Sequence, residues 1–139
     1  MHHEDITEYI PQRPPIVMIS RLVEAGDKNI RTELDVAPDN VFVEEGKLMA
    51  PGLVENIAQT AAARVGFLAK RDNVPVPLGF IGAIQNLEIL ELPPAGATLQ
   101  TEIIITHELF NATVVKGSVS HEGRIQAQCD MKIFIAKEK

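Results

Sequence analysis

Two periodicities divide the chain. Ile30, Thr32, Leu34 and Val36 occupy every second position with Arg31, Glu33 and Asp35 between them, the pattern of a strand with one buried face. Ahead of that run, Pro11-Gln12-Arg13-Pro14-Pro15 stops any N-terminal helix and feeds an extended stretch from Ile16 to Val23. Ala25-Gly26-Asp27-Lys28 turns one stretch into the other, so a β-hairpin is predicted. From Pro51 to about Ala69 the alternation stops. The stretch PGLVENIAQTAAARVGFLA is alanine-rich and places its proline in the first turn, where a helix tolerates one. Apolar or small residues cover nearly its whole circumference, with Glu55, Asn56, Gln59, Thr60 and Arg64 as the polar exceptions. Such a helix is enclosed by its fold and not laid on a surface.

After a polar, proline-bearing linker at Lys70 to Pro77 come three β-rich runs: Leu78 to Leu92, Thr98 to His107, and Asn111 to Phe134 with a break near Glu122-Gly123. Pro93-Pro94-Ala95-Gly96 separates the first two. Strands, one helix, then more strands lack the alternation that a parallel α/β sheet needs. The order is α+β, with one curved antiparallel sheet wrapping one central helix. The 139 residues, 45% hydrophobic, suit a single domain over residues 1–139.

Charge and cysteine content narrow the partners. Nineteen acidic against 13 basic residues supply no basic footprint for a phosphate backbone, so nucleic acid is not expected. The N-terminus MHHEDITEYI lacks the apolar core of a signal peptide and no apolar run reaches membrane-spanning length, so a cytoplasmic protein is expected. The lone Cys129 alternates with Gln126 and Gln128 and reads as a packed strand thiol. His2 and His3, without a partner cluster, read as a frayed end; neither a metal nor a cofactor is expected.

Three ordered stretches carry a resemblance. Ile10-Pro11-Gln12-Arg13-Pro14-Pro15-Ile16-Val17-Met18-Ile19-Ser20-Arg21-Leu22 places a polar pair between prolines before an apolar strand. Ala50-Pro51-Gly52-Leu53-Val54-Glu55-Asn56-Ile57-Ala58-Gln59 steps through Pro-Gly into the helix, with Gln following Glu by four residues. Gly82-Ala83-Ile84-Gln85-Asn86-Leu87 leads to the Pro93-Pro94-Ala95-Gly96 turn. Together, over roughly residues 6 to 135, they resemble the hot-dog acyl-thioester family and particularly its 3-hydroxyacyl-acyl-carrier-protein dehydratase branch. The resemblance implies a hot-dog fold and a dimer with its two sheets joined edge to edge, either a homodimer, a higher assembly of dimers, or a hot-dog heterodimer. It also implies acyl carrier protein or acyl-CoA as substrate carrier, in fatty-acid or polyketide-type synthesis. Glu55 and Gln59 match the family's catalytic helix positions, and Gly52 and Gly82 its substrate-binding ones.

The family's catalytic histidine has no counterpart, because no histidine occurs between His3 and His107, and Ser20 stands where aspartate is usual. Dehydration needs a base, an acid and donors for the carbonyl oxygen. Glu55 can take one proton role; capping helix amides or pairing with Arg64 across an interface is its structural alternative. Gly52 offers backbone N–H groups at a helix start, or is a turn glycine only. Gln59 orients the acid or bonds a facing strand. Glu44, Glu45 and His107 are the remaining candidates for the missing histidine, and each also reads as an ordinary solvated side chain. Lys70 and Arg71 either meet an acidic carrier or are simply solvated. Hydrolysis by the helix carboxylate, or a non-catalytic acyl-binding subunit completing a histidine-bearing partner, are the competing functions.

Overall fold

A computed structural model describes residues 5–136, and the side chains of all of these except Leu78 and Ala136. A 3-10 turn at Ile6–Glu8 leads to β1 (Arg21–Ala25) and β2 (Asn29–Asp35), the predicted hairpin. β3 (Val43–Glu44) and β4 (Lys47–Leu48) precede α1 (Ala50–Arg71), and β5 (Leu78–Ile89), β6 (Thr98–Glu108), β7 (Ala112–His121) and β8 (Arg124–Ala136) follow it. Six strands form one antiparallel sheet in the order β1-β2-β6-β7-β8-β5.

The helix is enclosed on nearly every side, with only Pro51, Lys70 and Arg71 exposed along it. Leu53, Ile57, Ala61 and Ala63 meet Ile30, Leu34, Leu99, Ile103, Val115 and Met131 of the sheet to make the core. α1 ends in a Schellman arrangement: Asn73 adopts φ 55°, its N–H donates to the Lys70 carbonyl at 3.2 Å, and the Val74 N–H donates to that of Ala69 at 2.9 Å.

Three local features differ from the sequence expectation. Residues 16–20 join no strand, and α1 side chains occupy backbone groups of Ile16 and Met18. Gln59 Oε1 accepts the Met18 N–H at 2.6 Å, Gln59 Nε2 donates to the Ile16 carbonyl at 2.7 Å, and Asn56 Nδ2 donates to the Met18 carbonyl at 2.7 Å. The loop before the helix holds the β3–β4 hairpin, turned by Glu45 and Gly46 at φ 51° and 77°, as a two-residue turn of this hand requires. Finally, Gln126 is as buried as Ala127, because a bulge opposite Val119 and Ser120 interrupts the alternation there.

Candidate active site

Along one side of α1 runs a cleft of about 610 Å³. Its walls are the segment Thr7 to Arg13, the helix residues Glu55, Ala58, Ala61, Ala62 and Val65, then Val76 and Pro77 before β5 with Gly79, Phe80 and Ile81 on it, and Ile133 and Ile135 of β8. The small helix residues leave the room, since a larger side chain at Ala58 or Ala62 would fill the channel. At the helix start the half-buried Glu55 brings a carboxylate into this apolar wall.

Gln59 holds that carboxylate from one turn away, its Nε2 donating to Glu55 Oε2 at 2.8 Å. Both hydrogens of that amide nitrogen are thereby used, one on Glu55 and one on Ile16, while its oxygen takes the Met18 N–H. Deeper in, a buried polar chain backs the same helix turn. Thr101 Oγ1 donates to Asn56 Oδ1 at 2.5 Å, Thr60 Oγ1 donates to the Asn56 carbonyl at 2.8 Å, and the Thr32 and Thr60 hydroxyls lie 2.8 Å apart. Thr32 and Thr101 sit directly opposite each other on β2 and β6, so strand register aims both at the helix.

The structure brings Glu55 and Gln59 together and leaves the two glycines outside the cleft lining. Gly52 is buried and its N–H donates to the Met49 carbonyl at 2.9 Å; a Cβ there would come within 2.7 Å of Leu48 and Phe42. This placement favours packing over an amide donor open to substrate. Gly82 is the extra residue of a β5 bulge between Ile81 and Ala83, where a Cβ would lie 2.2 Å from the Phe134 ring. Phe134 in turn stacks on Phe80 of the cleft wall, with centroids 5.7 Å apart.

Glu44 and Glu45 sit exposed on the β3–β4 hairpin, and the exposed His107 lies beside Thr106 on β6; none lines the cleft. His2 and His3 lie outside the described residues. Lys70 pairs with Glu8 and lies over the Tyr9 ring at 5.6 Å, and Arg71 pairs with Asp72 at 3.0 Å. Among the described residues no group of histidine, cysteine or carboxylate side chains is arranged to hold a metal. No described helix is long and apolar enough to cross a membrane. Sequence reasoning did not anticipate the N-terminal wall, although Gln12 and Arg13 in its proline cluster were visible.

A family model described as ApeP-like, ApeP dehydratase, matches residues 4–139. No curated protein matches the chain. Among solved structures, the dehydratase heterocomplex ApeI:P from Xenorhabdus doucetiae superposes with a TM-score of 0.89 at 15% identity, covering 99% of this chain and 94% of that one. A HP0420 homologue from Helicobacter felis gives 0.74 at 12% identity, covering 100% and 95%. A hypothetical thioesterase from Streptococcus pneumoniae, solved with coenzyme A, gives 0.70 at 12% identity over 86% and 87%. The shared architecture is the hot-dog fold, one long helix against an antiparallel sheet.

Proposed function

The chain belongs to the ApeP-like dehydratase family, and from that premise we propose that it acts on 3-hydroxyacyl thioesters carried by acyl carrier protein or coenzyme A, in fatty-acid or polyketide-type synthesis. The observation that carries this reading is the Glu55 carboxylate in the wall of an apolar cleft, held by Gln59 at 2.8 Å. Dehydration removes the proton next to the thioester carbonyl, moves that electron pair into the new carbon–carbon double bond, and releases the 3-hydroxyl as water after it gains a proton. Glu55 carries one of these two transfers. Gln59, with both of its N–H donors already used, is its positioning residue.

No histidine stands among the described residues of the cleft wall. A second observation bears on this gap. β5 is a sheet edge, and Phe80, Ile84 and Leu87 on it are 56%, 42% and 45% exposed. A long apolar edge of this kind is a template for pairing with another chain. We therefore read the working unit as a pair of hot-dog chains joined along β5, a histidine-bearing partner supplying the missing group. The heterocomplex of the similar Xenorhabdus doucetiae structure supports that reading.

Incubation of the purified protein, alone and with its co-purifying partner, with 3-hydroxyacyl-carrier substrates is expected to yield the 2-enoyl product. Glu55→Gln should lower that turnover by about 100-fold or more while leaving the melting temperature in place. Full turnover by this variant would sink the assignment. Release of free thiol in place of enoyl product would instead mark a thioesterase.

A further inference from the structure

Arg13 is the one basic side chain among the described residues of the cleft wall. It is exposed, yet its guanidinium is fixed at one end. Nη1 donates to the Ile10 carbonyl at 2.8 Å and to the Gln12 carbonyl at 2.7 Å, which uses both hydrogens of that nitrogen. Among the described residues no hydrogen bond engages Nε or Nη2, and no carboxylate forms an ion pair with Arg13. Nε and Nη2 make up the edge of a guanidinium that takes two oxygens of a phosphate or carboxylate side by side. With its other end held by backbone, that edge has less freedom to lose on making the contact than a fully solvated arginine has.

The carboxylates nearby are spent elsewhere. Glu8 is engaged by Lys70, Asp5 accepts from the Thr7 N–H at 2.9 Å and from its hydroxyl at 2.7 Å, and Glu55 is held by Gln59. The course of the N-terminal segment places Arg13 along the cleft. That segment crosses Gly66 at Tyr9 and reaches Gln59 at Ile16, so it runs antiparallel to α1 with Arg13 between those two points. Glu55 precedes Gln59 by four residues and Gly66 by eleven, which sets the two charges roughly 6–16 Å apart along the helix axis. Ala58 and Ala62 lie on the stretch of helix that separates them and leave the channel open there.

We propose that Arg13 binds the phosphate at the end of the pantetheine arm and so anchors the carried thioester with its reacting carbons beside Glu55. The inference rests on the acyl-thioester reading of the cleft, and it deepens that reading by assigning the residue that holds the carrier's arm. The acyl group and the pantetheine stem are uncharged and ask nothing of a cation. Phosphate is the charged group common to both carriers, a phosphodiester on carrier protein and a diphosphate on coenzyme A. With 19 acidic against 13 basic residues the chain has no general field to draw such a group in, so one placed guanidinium does the work. On this placing the slender arm lies along Ala58 and Ala62, and the acyl group leads away past Glu55.

The test compares ligands that differ only in the phosphate. Acyl-pantetheine, acyl-phosphopantetheine, acyl-CoA and acyl carrier protein, all bearing the same saturated acyl group, are titrated calorimetrically into the full protein, with its partner if one co-purifies. In the native protein the phosphate of acyl-phosphopantetheine is expected to tighten binding about tenfold over acyl-pantetheine, the worth of a hydrogen bond to a charged group. Arg13→Gln should bring those two ligands to equal affinity, and Arg13→Lys, a point charge without the fork, should keep part of the gain. Lys28→Gln, which removes an equal charge outside the cleft wall, should leave the gain whole. Equal affinity of the two pantetheine ligands in the native protein overturns the proposal whatever the variants do. So does a gain that survives Arg13→Gln, or one lost as fully in Lys28→Gln. Weaker binding by Arg13→Gln of acyl carrier protein, of acyl-CoA or of both supports the proposal and identifies which source of phosphate the site serves. A phosphate gain without any dehydration counts against the dehydratase reading alone, dehydration without the gain counts against Arg13 alone, and no binding of any acyl thioester overturns both.

Discussion

Gln59 couples three parts of the molecule through one amide. It joins the strandless segment at Ile16 and Met18 to the helix and spends its remaining hydrogen on Glu55. Gln59→Leu keeps the volume and strips the partners, leaving the Met18 N–H and the Ile16 carbonyl without their helix contacts. The expected cost is about 2–4 kcal/mol in urea denaturation, with a loss of turnover beyond what the stability loss explains, because Glu55 is released as well. Cys129 is buried against the helix side of the sheet, and burial, with the Asp130 charge adding to it, raises its thiol pKa to about 11. The proton is held more tightly in the folded chain than in the unfolded one. Its contribution to stability is therefore complete below the ordinary thiol value near 9.0 and fades as pH rises from there through about 11. Urea midpoints should fall across that window in the native protein and fall less in Cys129→Ala, and the native thiol should resist aromatic disulfide reagents near pH 8 until the chain unfolds.

At the scale of elements, the cleft exists because the N-terminal segment crosses α1 at a glycine. A Cβ on Gly66 would lie 2.0 Å from the Tyr9 carbonyl oxygen, and the crossing is steadied by Tyr9 against Phe67 with ring centroids 5.8 Å apart. The obstacle is backbone, so it cannot rotate away. Gly66→Ala should cost about 1–3 kcal/mol and loosen the wall from Thr7 to Arg13, seen as faster amide exchange in that segment than elsewhere. The same logic explains the helix composition. Alanines at 58, 61 and 62 supply helix propensity and the absence of side-chain volume at once, which makes the cleft a consequence of sequence and not of imperfect packing.

For the whole molecule, the sheet closes its core on one face yet ends in β5, whose apolar side chains reach solvent in the isolated chain. On the proposed paired reading, assembly along that edge would cover the exposed strand and bring a partner's groups to the cleft. Ile84→Lys, placing a charge midway along β5, should shift the protein to a smaller species in light scattering, leave far-UV circular dichroism unchanged, and lower dehydration activity in parallel with dissociation. A monodisperse monomer in the native protein would remove the basis of the paired reading.

The chain by itself determined its main elements and their α+β order, because those depend on local pattern: alternation at Ile30 to Val36, an alanine-rich run without alternation and with a first-turn proline after Pro51, and turn residues at Gly26, Gly96 and Gly123. It also marked Glu55 and Gln59, since four residues along a helix is one turn and brings two side chains together. Only the tertiary structure decided which strand is left at the edge, because pairing β8 with β5 and β2 with β6 joins residues far apart in the chain. It likewise decided that Gly52 and Gly82 lie outside the cleft lining, where a Cβ would meet Leu48 and Phe42 in one case and Phe134 in the other, contacts that no spacing rule encodes. Arg64 shows the division most sharply: its charge was legible as one polar letter in an apolar run, but only the fold brought its Nη2 to the Asp27 carbonyl, in the turn between β1 and β2, at 2.8 Å.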